Sequence, residues 1–191
     1  MIIRLLPLVF ALSAPTMGMS ACLDATALDK GVLVTFADQS WTAVTRRDGD
    51  LLQLNHQAKA LDSQIRPEGR DIRHAYFGVY PTLIDRLDGD YTLLITRTYD
   101  QQLPKPEAGI DFVVEIDKVA GIKSRNLLTR FVVTPGTEIT VGSCTYTTWI
   151  VDEQHLAKMA RADPPGSVRY IPELGFGLPV VTEITAIEPL P

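Results

Sequence analysis

The chain has 191 residues, with 23 acidic against 18 basic side chains and only two cysteines. A net charge of −5 argues against nucleic acid or an anionic membrane surface as the partner, since neither attracts an acidic domain. The length suits one domain with a real core, or two small sheets sharing one.

The first residues read MIIRLLPLVFALSAPTMGMSAC. Arg4 supplies a short basic segment, Leu5 to Leu12 an apolar one, and the small residues Ser20 and Ala21 precede Cys22. Pro7 and Pro15 interrupt a run already too short to span a bilayer, so 1–21 is expected to be a removable export signal. No later stretch approaches about 18 consecutive apolar residues, and no transmembrane helix is expected. Losing Arg4 with the signal makes the remaining domain, 22–191, one unit more negative.

Cys22 admits two readings. Two cysteines in an oxidising compartment favour a Cys22–Cys144 bridge, whose long loop would contribute about 4–5 kcal/mol in the chain-entropy model. Met19-Ser20-Ala21-Cys22 is also similar to a bacterial lipobox, with Met where Leu is usual, and that reading anchors the protein through a lipid on Cys22. The two exclude one another, because a diacylated sulfur cannot also bridge.

Asp24 is placed to cap a short helix over 25–30, with Gly31 at its stop. Strands are expected over 31–36, 41–47 and 50–55, the last two joined by the hairpin signal Asp48-Gly49. The polar stretch 56–73, with Pro67 and Gly69, predicts a long connection carrying one strand near 63–65. A second meander follows over 74–80, 82–87 and 90–99, turning at Asp88-Gly89. Its Asp-Gly-Asp turn repeats the first one and hints at an internal repeat.

Residues 101–109 (QQLPKPEAG) form a linker, since two prolines hold the backbone extended. Over 111–118, Phe112, Val114 and Ile116 alternate with Asp111, Val113, Glu115 and Asp117, the pattern of a strand with one wet face. Residues 125–134 predict another strand and Pro135-Gly136 a turn. The stretch 138–149 (EITVGSCTYTTW) keeps a period of two, with Ile139, Val141, Ser143, Thr145, Thr147 and Trp149 on one parity. It predicts a continuous central strand running on to 151, with Cys144 in its middle. Residues 152–162 fit either a short helix behind Asp152 or a strand and loop. A loop over 163–166 precedes a closing hairpin, 167–171 against 178–187.

About eleven strands, with turn signals every 8–12 residues, predict an all-β fold. The expectation is an antiparallel β-sandwich or partly open barrel built from meanders, with one or two short helices. Its single β-rich domain has two halves, 31–100 and 103–188, joined by the Pro-rich linker.

From Leu103 onward the order of motifs resembles a module that recurs in exported bacterial β-rich proteins. Leu103-Pro104 leads through Gly109 to Phe112, Glu138-Ile139-Thr140-Val141-Gly142 stands where that pattern has an E-x-V-T-V-x-x-G strand, and Tyr170-Ile171-Pro172-Glu173-Leu174-Gly175 matches its Tyr-x-Pro-x-Leu-Gly hairpin. Cys144, just after the glycine, departs from the pattern. The N-terminal part is similar to uncharacterised exported proteins of Gram-negative bacteria. The resemblance implies a fold and a compartment, the periplasm, and brings no substrate with it.

Few chemistries find support in the residues. His56, His74 and His155 are not at metal-ligand spacing, and the Asp-Gly-Asp turns lack the further oxygens of a calcium loop. Gly142-Ser143-Cys144 is not a nucleophile elbow. A thiol–imidazole pair of Cys144 with His155 would require Cys144 to be free, against the bridge. Glu115 and Asp117 read as a solvated strand face, and Gly175-Phe176-Gly177 has no helix behind it to bind phosphate. Tyr76, Tyr80, Tyr146, Trp149 and Tyr170 are spread over the sheet, either as core or as the lining of a ligand mouth. The expected function is a non-enzymatic periplasmic domain without cofactor or metal, an envelope accessory or interaction protein. The alternative is a carrier of a small apolar or lipid-like ligand.

Overall fold

Alternating apolar residues become strand nearly everywhere they occur. The computed structural model describes residues 22–57, 70–88, 91–156, 166–180 and 183–191. The expected signal 1–21, the strand near 63–65, the loop residues 163–165 and the second turn at Gly89 lie outside the described residues. So does most of the ambiguous stretch 152–162, beyond its opening residues.

The Asp24 carboxylate accepts the Thr26 backbone N–H at 2.9 Å and caps a short 3-10 helix over Ala25–Asp29. Gly31, at φ 97°, turns the chain out of it, as glycine does at little cost. Fourteen strands follow among the described residues: β1 (Val32–Phe36), β2 (Trp41–Asp48), β3 (Leu51–Gln57), β4 (Arg70–Tyr76), β5 (Tyr80–Asp88), β6 (Tyr91–Tyr99), β7 (Asp111–Ala120), β8 (Lys123–Pro135), β9 (Ile139–Val141), β10 (Cys144–Tyr146), β11 (Trp149–His155), β12 (Ser167–Ile171), β13 (Phe176–Pro179) and β14 (Ile184–Pro189).

Twelve of these form one antiparallel sheet, in the order β13-β12-β11-β8-β7-β6-β5-β4-β3-β2-β1-β14. The linker joins β6 to β7, which are paired neighbours, so both halves of the chain belong to one sheet. The terminal strands β13 and β14 do not pair, and the sheet stays an open all-β structure rather than a closed barrel. The closing hairpin is shorter than expected. β12 pairs with β13 as far as Val168↔Pro179, and the chain then crosses to set β14 against β1, with Val34 opposite Ile187.

The sheet curls until its β13 edge meets the turn between β4 and β5, where the Gly177 N–H donates to the Phe77 carbonyl at 3.0 Å. Two cores result. One gathers Leu28, Val34, Leu52 and Leu54 with Ile171, Leu174 and Phe176. The other gathers Phe77, Tyr80, Ile116, Phe131, Val151 and Tyr170. The β12–β13 hairpin contributes to both, and burial of these side chains, at about 1.5–3 kcal/mol each, holds the curl.

The central strand expected over 138–149 is not formed. The chain turns back at Gly142-Ser143, so β9 and β10 make a separate two-stranded sheet with Val141 opposite Cys144. Gly142 has φ 61°, which suits the first central position of a two-residue hairpin. Crossing that turn reverses parity: Ile139, Val141, Cys144 and Tyr146 share the face packed on the first core, while Thr140 and Thr145 face outward as a pair 3.2 Å apart. The β-branched and aromatic composition runs on through the turn, which is why the sequence reads as one strand, although the inward parity changes between Val141 and Cys144.

Cys22 and Cys144 are bridged, with Cα atoms 5.6 Å apart and a separation of 122 in sequence. The bond ties the start of the domain to the β9–β10 hairpin.

Candidate functional site

The inner face of the curled sheet carries its charged residues in register. On β3 the side chain of His56 lies opposite Thr42 of β2 and, on the other side, opposite Asp71 of β4. Asp71 in turn lies opposite Arg86 of β5. Four successive strands thus set Thr42, His56, Asp71 and Arg86 side by side along one wall of a cleft of about 620 Å³. That volume falls in the range of small-molecule sites.

The contacts along this wall are specific. The Thr42 hydroxyl is 3.0 Å from His56 Nδ1. Asp71 accepts from Arg73 Nε and Nη2 at 3.0 and 2.9 Å, and from Arg86 Nε and Nη2 at 3.2 and 2.9 Å. Burial raises the Asp71 carboxyl, but the Arg73 and Arg86 guanidiniums outweigh it and hold its pKa below the usual value. Burial pushes the His56 imidazole below its ordinary value, against the opposing pull of Asp71.

The same residue types recur across the cleft, with Arg97 reaching over from β6 on the first wall to β11 on the other. Arg97 of β6 donates from Nη1 to both oxygens of Glu153 on β11, at 2.9 and 3.1 Å. His155 Nε2 lies 3.6 Å from Glu153, and its Nδ1 lies 3.2 Å from the Thr129 hydroxyl. Each group therefore joins a threonine, a histidine, a carboxylate and arginine, with Thr129 behind His155 rather than in the cleft lining. Both threonines are buried and engaged with imidazole, which suits them to orient histidine rather than to attack a substrate. Asp38 stands at the exposed rim, where it accepts from Ser40. Between the polar groups the lining is apolar, with Phe36, Leu54, Ile84, Leu93, Ile95 and Leu178.

The five aromatic residues singled out as ligand-lining are placed elsewhere, and none lines this cleft. Tyr80 packs edge-on against Phe77, Phe112 and Phe131 in the second core. Tyr170 is fully buried there and stacks on Trp149 at 5.9 Å. Tyr146 is buried in the first core. Tyr76 lines a separate groove of about 490 Å³ beside Asp48, Asp50 and Tyr99.

Cys144, bonded to Cys22, offers no thiol to His155. Glu115 and Asp117 are exposed on β7. Among the described residues no group of three or more His, Cys, Asp and Glu is placed to hold a metal ion, and no helix is long and apolar enough to cross a membrane.

His56, Asp71, Arg73, Arg86, Arg97, Glu153 and His155 were not anticipated as a group. Part of the signal was present: counting back from the Asp48-Gly49 turn brings Thr42 near His56. The step from His56 to Asp71 crosses residues 58–69, whose length hides the register, and Arg97 and Glu153 are separated by 56 positions.

No family model matches the chain, and no curated protein or solved structure matches it.

Proposed function

We propose that this is an exported, non-enzymatic binding domain of the periplasm, which takes up a small apolar or lipid-like molecule in the cleft between β1–β6 and β11–β13. The single observation behind this reading is the cleft, about 620 Å³ with an apolar lining interrupted by ordered charge. Ligand sites combine these features: apolar area supplies affinity and a few fixed polar groups supply orientation. The export reading rests on the N-terminal residues, and the Cys22–Cys144 bond suits an oxidising compartment. A bridged Cys22 has no sulfur available for a lipid anchor.

Native mass spectrometry of protein purified without detergent, together with 1:1 binding of the neutral fluorophore N-phenyl-1-naphthylamine, tests the reading. A bound species of a few hundred daltons, or probe binding lost on Ile84→Trp, supports it. A protein always at its bare mass that also ignores the probe removes it.

The alternative, an envelope interaction protein, has its own observation. Ile122 at the β7–β8 turn is 102% exposed, and Val119 and Leu94 nearby are also exposed. An apolar tip of this kind suits contact with another protein. Co-purification that is lost on Ile122→Ser while probe binding persists would favour it.

A further inference from the structure

We infer that the cleft's ligand carries a small oxyanion headgroup, a carboxylate or phosphate, received by the guanidinium pair of Arg73 and Arg86. This inference rests on the cleft being a ligand site.

Arg73 and Arg86 converge on one carboxylate. Asp71 Oδ2 accepts from Nη2 of Arg73 and from both Nε and Nη2 of Arg86. Two guanidiniums therefore meet at a single oxygen. Among the described residues, Asp71 is the one carboxylate ion-paired with either arginine. Each guanidinium has five N–H donors, and each gives only two to Asp71. Within the group two positive charges meet one negative, and on each arginine there are N–H donors that Asp71 does not take.

The surroundings leave that excess in place. Thr42 is uncharged, burial favours the neutral form of His56, and Arg97 of β6 is matched by Glu153 across the cleft. Asp38, the other carboxylate of this wall's lining, stands at the exposed rim, accepts from Ser40, and forms no ion pair with Arg73 or Arg86 among the described residues. Asp71 is the most buried of the three, with its side chain 13% exposed against 35% for Arg73 and 46% for Arg86. The carboxylate underlies the pair, and the guanidiniums are the accessible part. An oxyanion there would gain charge-assisted, fork-like hydrogen bonds and relieve repulsion between two neighbouring cations.

Register supplies the other end of the ligand. Arg73 lies between Leu54 and Ile84 across its two neighbouring strands, and Arg86 lies opposite Leu93. Apolar side chains thus flank both arginines on the same wall. The complement of this surface is an anionic amphiphile, with its head at Arg73–Arg86 and its tail along Leu54, Ile84 and Leu93.

Displacement of N-phenyl-1-naphthylamine from the full exported domain tests this, with four competitors: dodecanoate, dodecyl phosphate, dodecanol and inorganic phosphate. Dodecanoate or dodecyl phosphate should compete about tenfold or more better than dodecanol, and which of the two is stronger identifies the oxyanion. Arg86→Gln and Arg73→Gln should each reduce that preference and leave dodecanol unchanged, with far-ultraviolet circular dichroism checking the fold. Equal competition by dodecanol, or a preference that survives both substitutions, overturns the headgroup assignment and leaves the cleft reading intact. Competition by inorganic phosphate as strong as by dodecyl phosphate assigns the site to a free anion and overturns the amphiphile. A domain that binds neither probe nor competitor loses the cleft reading and the headgroup with it.

Discussion

A β-carbon on Gly78 would stand 2.9 Å from the backbone nitrogen of Gly177. These two glycines, one on the β13 edge and one at a turn in the middle of the sheet, let that edge rest on the turn between β4 and β5. Added at Gly177, a β-carbon would meet Val168 Cγ1 at 2.6 Å and Val79 Cγ2 at 2.7 Å. Gly177→Ala should therefore cost about 1–3 kcal/mol through overpacking. Gly78→Ala should cost at least as much, because its φ of 66° also disfavours a side chain. Urea denaturation reads both, and an unchanged midpoint for either would mean the curl does not depend on this contact.

The Cys22–Cys144 bond closes most of the described chain into a loop, and a constraint of that length lowers the entropy of the unfolded state. Cys22→Ser with Cys144→Ser should lose about 2–5 kcal/mol. Thermal unfolding with and without reductant provides the comparison. The oxidised protein should respond to reductant, and the double variant should not.

Arg97 and Glu153 form a buried ion pair, with side chains 8% and 14% exposed. Removing one charge strands the other, so Glu153→Gln should destabilise by about 3–5 kcal/mol. Replacing both residues by methionine should recover much of that loss, since a buried pair contributes little over apolar packing. A double-mutant cycle in urea measures the coupling, and independent, additive losses would show that the two charges do not depend on one another.

Acid should weaken the fold through His56. Burial, the larger influence, holds its folded pKa below the ordinary 6.5, so below that pH the unfolded chain binds more protons than the native one. Stability then rises with pH through the window just below 6.5 and levels off above it. Burial lowers His74 in the same direction. Asp71, held below its usual range, contributes stability that is lost in more acidic solution as it protonates. Melting temperatures between pH 5 and 8 should fall toward acid, and His56→Gln should flatten that slope without abolishing it. A slope identical in the variant would place the linkage elsewhere.

Local features were legible wherever neighbours in sequence settle the outcome. The Asp24 cap, the Gly31 stop, the Asp48-Gly49 hairpin and the wet and dry faces of β7 follow from backbone preferences and alternation over a few residues. The all-β class follows from their sum. The reading of 138–149 as one strand did not survive, because periodicity reports which residues alternate and not where the chain reverses. The glycine at 142 was the available sign of a turn.

The sequence by itself determined the all-β class, most of the strands, several turns and the availability of two cysteines for one bond. The tertiary structure alone decided that β14 returns to β1, that Gly78 meets Gly177, and that two histidine–carboxylate–arginine groups face each other across a cleft. The physical reason is range. Propensity and alternation act within a strand, whereas the register that carries His56 to Asp71 to Arg86, and Arg97 to Glu153, is set by packing between strands that loops of unreadable geometry connect. Tyr80, Tyr146 and Tyr170, conspicuous in the sequence, filled the core because burying their large area contributes most there. The charged residues that line the cleft carried no local pattern to mark them.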